Sequence, residues 1–115
     1  TCRDYTVVEI VLERNNLQGT LPDEIGLLTN LDGIYMNSNN LFGTIPTTIY
    51  ALTNLVTLNF QSNNLSGRIP EDLGYLTRLS TLQLERNDLT GDMPESICRQ
   101  TLSPGWGDLS VDCDE

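Results

Sequence analysis

The sequence has no histidine and no lysine, and its six arginines face sixteen carboxylates, for a formal charge of −10 over 115 residues. Each shortage removes a class of function. Without histidine or lysine there is no ordinary base to activate a serine or cysteine nucleophile, and the three cysteines are better spent on end caps. The chain is therefore expected not to be an enzyme. A strongly negative balance opposes binding to phosphate backbones and anionic lipid surfaces, so nucleic acid is not an expected partner. The longest apolar run is a handful of residues, far below the roughly 20 that span a bilayer. No direct membrane insertion is expected within these residues, and no targeting segment is visible. A chain that opens on Thr1 in place of Met is expected to have been processed or trimmed.

What the sequence does have is repetition. On a period of 24, Asn15, Asn39, Asn63 and Asn87 superimpose, as do Gly19, Gly43, Gly67 and Gly91, and Pro22, Pro46, Pro70 and Pro94, without a gap. Six apolar columns run with that ladder. They are headed by Val7, Ile10, Leu12, Leu17, Leu21 and Ile25, and the third unit shows them as Leu55, Leu58, Phe60, Leu65, Ile69 and Leu73. Such a pattern marks a stacked repeat in which each unit buries its apolar edge against its neighbours.

Residues 52–75, LTNLVTLNFQSNNLSGRIPEDLGY, are one complete unit. In 57–61 apolar and polar residues alternate, which predicts a strand with Leu58 and Phe60 facing in and Thr57, Asn59 and Gln61 facing out. The Asn63 side-chain amide can bond backbone groups of the following turn, and its copies would form a buried polar ladder. Gly67 permits backbone angles that a Cβ forbids, and Pro70 fixes φ and removes a donor. The return limb is therefore expected to be irregular or a short helical turn, and the strands to stack into a parallel sheet.

The units read L-x-x-L-x-x-L-x-L-x-x-N-x-L-x-G-x-I-P, which resembles the plant-type class of leucine-rich repeats. The resemblance covers about residues 4–99. It implies an α/β repeat fold: a short solenoid of four 24-residue units over 7–99, with a parallel β-sheet on the concave face. Residues 1–6 then read as the remnant of an N-terminal cap, with Cys2 at its end. Residues 100–115 read as a C-terminal cap similar to that of secreted algal repeat proteins, with Leu102, Trp106, Leu109 and Val111 over the last unit's apolar edge.

The carboxylates after the prolines (Asp23, Glu24, Glu71, Asp72, Glu95) fall where a helical turn starts, where exposed N–H groups favour negative charge. That explanation outweighs a calcium site, so neither metal nor cofactor is expected. Glu13 and Glu85, three strand spacings apart, are separated by about 14 Å, too far for the roughly 5 to 9.5 Å of glycoside hydrolysis. Val11, Tyr35, Asn59 and Gln83 share an outward column and are too unlike one another to match an ice or mineral lattice.

Plant-type repeats serve as receptor ectodomains and secreted inhibitors, so the resemblance implies a recognition module in an extracellular or other oxidising compartment. Its partner would be a protein, peptide or glycan. The alternative is a structural subunit docked in a larger assembly or matrix. The expected binding surface is the outward face of the strands: Glu9, Val11, Glu13 and Arg14; Gly33, Tyr35, Asn37 and Ser38; Thr57, Asn59, Gln61 and Ser62; and Thr81, Gln83, Glu85 and Arg86. Tyr35 is its expected anchor, because a large amphipathic ring carries interface energy well. Phe42 and Arg68, assigned to the return limb, represent the competing face. Asn64-Leu65-Ser66 is the chain's single N-glycosylation acceptor and is expected on an exposed turn.

Cys2 and Cys98 occupy one column four units apart, about 19 Å at the spacing of stacked strands, beyond the roughly 7 Å a disulfide tolerates. The expected bridge is Cys98–Cys113, which in the chain-entropy model contributes about 3 kcal/mol. Intact mass with and without reduction, followed by peptide mapping, checks it. Finding both thiols free would remove the cap and the oxidising compartment inferred from it.

Overall fold

The computed structural model describes residues 2, 3, 6–91, 93–95 and 97. Cys98, Cys113 and the expected C-terminal cap lie outside them, as do residues 1, 4 and 5 of the expected N-terminal cap. An antiparallel pair, β1 (Cys2–Arg3) and β2 (Thr6–Val7), opens the chain. Four repeat units follow, and each supplies a strand to two separate parallel sheets. The first sheet orders β3 (Glu9–Val11), β5 (Gly33–Tyr35), β7 (Thr57–Asn59) and β9 (Thr81–Gln83). The second orders β4 (Gln18–Thr20), β6 (Asn40–Gly43), β8 (Asn64–Arg68) and β10 (Asp88–Thr90).

The first sheet is the expected one, in the expected register: Ile10, Ile34, Leu58 and Leu82 stand side by side and point inward. The strand predicted over 57–61 is shorter, Thr57–Asn59, although its ladder continues as Phe60 N–H donates to Gln83 O at 2.9 Å and Ser62 N–H to Glu85 O at 3.0 Å. It ends because Ser62 turns into the left-handed region at φ 59°, as do Arg14, Ser38 and Arg86 at the same point of their units. A side chain at positive φ is disfavoured by about 1–2 kcal/mol, so the following turn must repay it.

That turn is held by asparagine. Asn63 Oδ1 accepts from Leu41 N–H at 3.0 Å, while its Nδ2 donates to Met36 O and Phe60 O, both at 3.0 Å. Asn39 and Asn87 repeat the arrangement, each joining its own turn to the unit before it. The Asn15 side chain, in the first unit, donates within the described residues to Glu13 O and is exposed.

The second sheet is not implied by the apolar pattern and replaces part of the expected irregular limb. Phe42 and Arg68 belong to it, in β6 and β8, on its outward side. Its glycines explain the turn into the limb. Gly43 and Gly67 sit at φ 80° and 81°, and a Cβ on Gly67 would lie 2.8 Å from Thr44 Cγ2 of the previous unit. Beyond them Pro22, Pro46 and Pro70, in extended conformation, start 3₁₀ turns at Asp23–Leu27, Thr47–Ala51 and Glu71–Tyr75. Asp23, Glu24, Glu71 and Asp72 occupy first turns, where exposed N–H groups favour them.

The core runs between the two sheets and the 3₁₀ turns. Leu31, Ile34, Ile49, Leu52, Leu55, Leu58, Phe60, Leu65, Leu73, Leu76 and Leu82 are fully enclosed. The first unit is not sealed: Leu12 is 39% exposed where its counterpart Phe60 is at 0%. A solenoid unit is covered only by its neighbours, so the end of the stack carries the deficit.

Asn63→Ala removes the acceptor for Leu41 N–H and the donor to the carbonyls of Met36, Phe60 and Gln61 in a buried turn. The expected loss is about 2–4 kcal/mol, the range for orphaning more than one buried group. Asn15→Ala, at the exposed end, is expected to cost less than about 1 kcal/mol. Urea unfolding of the two variants measures the difference, and equal losses would contradict the ladder.

Candidate functional site

The residues between the inward positions of the first sheet form one continuous surface. Register places Glu9, Gly33, Thr57 and Thr81 in one column and Val11, Tyr35, Asn59 and Gln83 in the next. Glu13, Asn37, Gln61 and Glu85 follow, carried by the hydrogen bonds that extend the ladder: Arg14 N–H to Asn37 O, Ser38 N–H to Gln61 O, and Ser62 N–H to Glu85 O. Arg14, Ser38, Ser62 and Arg86 form the rim, each set there by its positive φ. The structure thus gathers every sequence-predicted surface residue onto one face.

Within that face the side chains differ in what they leave available. Val11, Glu13, Arg14 and Arg86 are exposed, whereas Tyr35, Asn37, Asn59, Gln61, Gln83 and Glu85 are half-buried. Asn59 Oδ1 is already used, accepting Gln61 N–H at 3.1 Å. Asn37 Oδ1 and Glu85 Oε2 are enclosed and accept no hydrogen bond among the described residues. Leaving such an acceptor unpaired costs about 1–3 kcal/mol. A donor brought to either group after a small side-chain rotation would recover that cost.

Tyr35 does not stand out into solvent. Its ring lies back along its own strand over Gly33: a Cβ on Gly33 would be 2.8 Å from Tyr35 Cε2 and 3.4 Å from its hydroxyl oxygen. Gly33 is buried for that reason, although it belongs to an outward column. Residues two apart on a strand share a face, so the glycine provides the seat on which the ring rests.

A second aromatic feature was not found by reading the outward and inward columns. Tyr50 and Tyr75, on successive 3₁₀ turns, meet edge to face with centroids 6.4 Å apart and planes at 61°. With Thr53 and Asp72 they line a shallow depression on the limb opposite the first sheet. The available signal was weak: Tyr50 shares its column with Gly26 and Gly74, Tyr75 with Leu27 and Ala51, and neither column is uniform. Asn64, the expected glycosylation acceptor, is exposed at the start of β8, in a strand instead of the expected turn.

The Leucine Rich Repeat family pattern matches residues 54–76 and 78–100. The chain also superimposes on solved plant receptors. It is 41% identical to a chain of the PEPR1–AtPEP1 structure over 86% of its length, with a TM-score of 0.82. It is a plant-type leucine-rich-repeat protein. Against the plant peptide hormone receptor RGFR1, solved with RGF2, identity is 40% over 78% of the chain, with a TM-score of 0.76. Against the BIR3–SERK2 complex of Arabidopsis thaliana it is 29% over 86%, with a TM-score of 0.78. This repeat protein spans 14% of each of the first two relatives and 53% of the third. No curated protein matches it. Among the described residues no helix is long and apolar enough to cross a membrane.

The seat beneath Tyr35 is directly testable. Gly33→Thr suits a strand position, and its Cβ meets only the movable end of a side chain, so stability is expected to change by less than about 1 kcal/mol. The ring must lift from the sheet, and tyrosine ring resonances read by NMR should shift while the rest of the spectrum is kept. A large loss of stability instead would show that Gly33 is needed for the fold.

Proposed function

We propose that this leucine-rich-repeat chain is a non-catalytic recognition module of an extracellular or lumenal protein, and that it binds a protein or peptide on the first sheet around Tyr35. The observation that carries the reading is the pre-seated Tyr35 ring, set among columns that differ from strand to strand. Buried columns are held uniform by packing, whereas these vary in size and charge, which fits a surface shaped by a partner. The enclosed acceptors of Asn37 and Glu85 favour a ligand that brings N–H or O–H donors, as an extended peptide does along its backbone. The relatives support the class, since PEPR1 is paired with AtPEP1 and the hormone receptor RGFR1 with RGF2. The absence of histidine and lysine argues against catalysis at the same surface.

Tyr35→Ala is expected to weaken a natural partner by about 1–3 kcal/mol with unchanged unfolding, because the ring lies outside the apolar core. Calorimetric titration gives the affinity, and thermal melts give the fold. Undiminished binding by Tyr35→Ala, with loss on Tyr75→Ala or Arg68→Ala, would move the interface to another face and favour an assembly subunit.

A further inference from the structure

The second sheet runs in a different register from the first, and one pair in it has a chemical consequence. Phe42 of β6 stands directly opposite Asn64 of β8, the acceptor of the Asn64-Leu65-Ser66 sequence. The inward partners in these strands, Leu41 and Leu65, are buried, so Phe42 and Asn64 share the outward face. Opposed residues on neighbouring strands lie about 4.8 Å apart. Phe42 is 51% exposed, a large apolar ring on the outward side of its strand. Asn64 is exposed, and its side chain makes no hydrogen bond among the described residues, unlike Asn39, Asn63 and Asn87. A bulky substituent at Asn64 therefore displaces nothing. It would emerge beside an uncovered aromatic ring.

We propose that Asn64 carries an N-linked glycan whose first sugar packs its C–H face against Phe42, so that the modification is part of the surface of the second sheet. The reading rests on the extracellular or lumenal assignment above. In the forming step, Asn64 Nδ2 attacks C1 of a polyprenyl-pyrophosphate-linked oligosaccharide. The C1–O bond to pyrophosphate breaks, the polyprenyl pyrophosphate leaves, and Nδ2 loses one proton. An N-acetylhexosamine ring has polar edges and a face of C–H groups. That face gains by covering aromatic carbon, while its hydroxyls stay in water. The slip between strands makes this possible: equivalent positions of successive units would pair Phe42 with Ser66, whereas the observed pairing gives it Asn64.

The test uses the full chain made in a eukaryotic secretory host behind that host's leader. The leader delivers the chain to a glycosylating lumen wherever the natural protein resides, so a failure here falls on Asn64 and Phe42 and not on the compartment. Intact mass should fall on treatment with an amidase that removes N-glycans, and Asn64→Gln should abolish the difference. Thermal midpoints are then compared with and without the glycan in the wild type and in Phe42→Ala, whose site is exposed and outside the core. Deglycosylation is expected to lower the wild-type midpoint by about 4 °C, the shift that roughly 1 kcal/mol gives in a domain of this size. In Phe42→Ala the shift should be less than half as large. An unmodified wild-type Asn64 would overturn the proposal, and so would an equal midpoint loss in both backgrounds.

Discussion

The hydrogen bonds of Asn39, Asn63 and Asn87 are the constraint on which the rest of the structure depends. Each amide reaches backward to a carbonyl of the previous unit, Leu12 O, Met36 O or Phe60 O, and forward into its own turn. The backbone after each strand must leave the sheet through a left-handed residue, and that conformation opposes folding unless the groups it exposes are paired. The amide pairs them in both directions at once. It thereby fixes the spacing between units and sets the rim residues Arg14, Ser38, Ser62 and Arg86 at the edge of the first sheet.

Much of this was legible because its cause is a period. Inward Leu58 and Phe60, turn-forming Asn63 and the Gly67 and Pro70 breaks each recur every 24 residues, and recurrence converts a weak local preference into a strong statement. The second sheet left no such mark. Its strands are short, and β6 has one inward side chain, Leu41, beside Gly43, so there is no alternation long enough to distinguish strand from loop. Backbone pairing with the neighbouring unit creates it. That information exists only once the units are stacked.

The candidate site divides in the same way. Membership of the outward columns followed from alternation, and Glu9, Val11, Glu13, Tyr35, Asn37, Asn59, Gln61, Gln83 and Glu85 all lie where alternation puts them. What each presents to a partner did not follow. Tyr35 lies down because Gly33 lacks a Cβ, and Asn59 turns to Gln61 N–H. Both depend on side-chain contacts between residues two apart, which a column-by-column reading treats as independent. The aromatic pair Tyr50 and Tyr75 is a similar case, produced by adjacency of two columns and not by either alone.

The two sheets differ in register, and so in what they present along the stack. In the first sheet partners differ by 24 residues, so equivalent positions stack and one column runs unbroken through all four units. In the second sheet partners differ by 22, as in Gln18 with Asn40, Phe42 with Asn64 and Asp88 with Ser66. A shift of two residues is about 6.7 Å along the strand for each 4.8 Å step between strands, so the second sheet's strands run oblique to the stack. Because the slip is even, inward residues still face inward and the core tolerates it. Outward residues, however, meet members of other columns. A ligand extended along the stack encounters a graded series on the first sheet. On the second it encounters fixed, unlike pairs, which is the arrangement that sets Asn64 beside the half-exposed Phe42 ring.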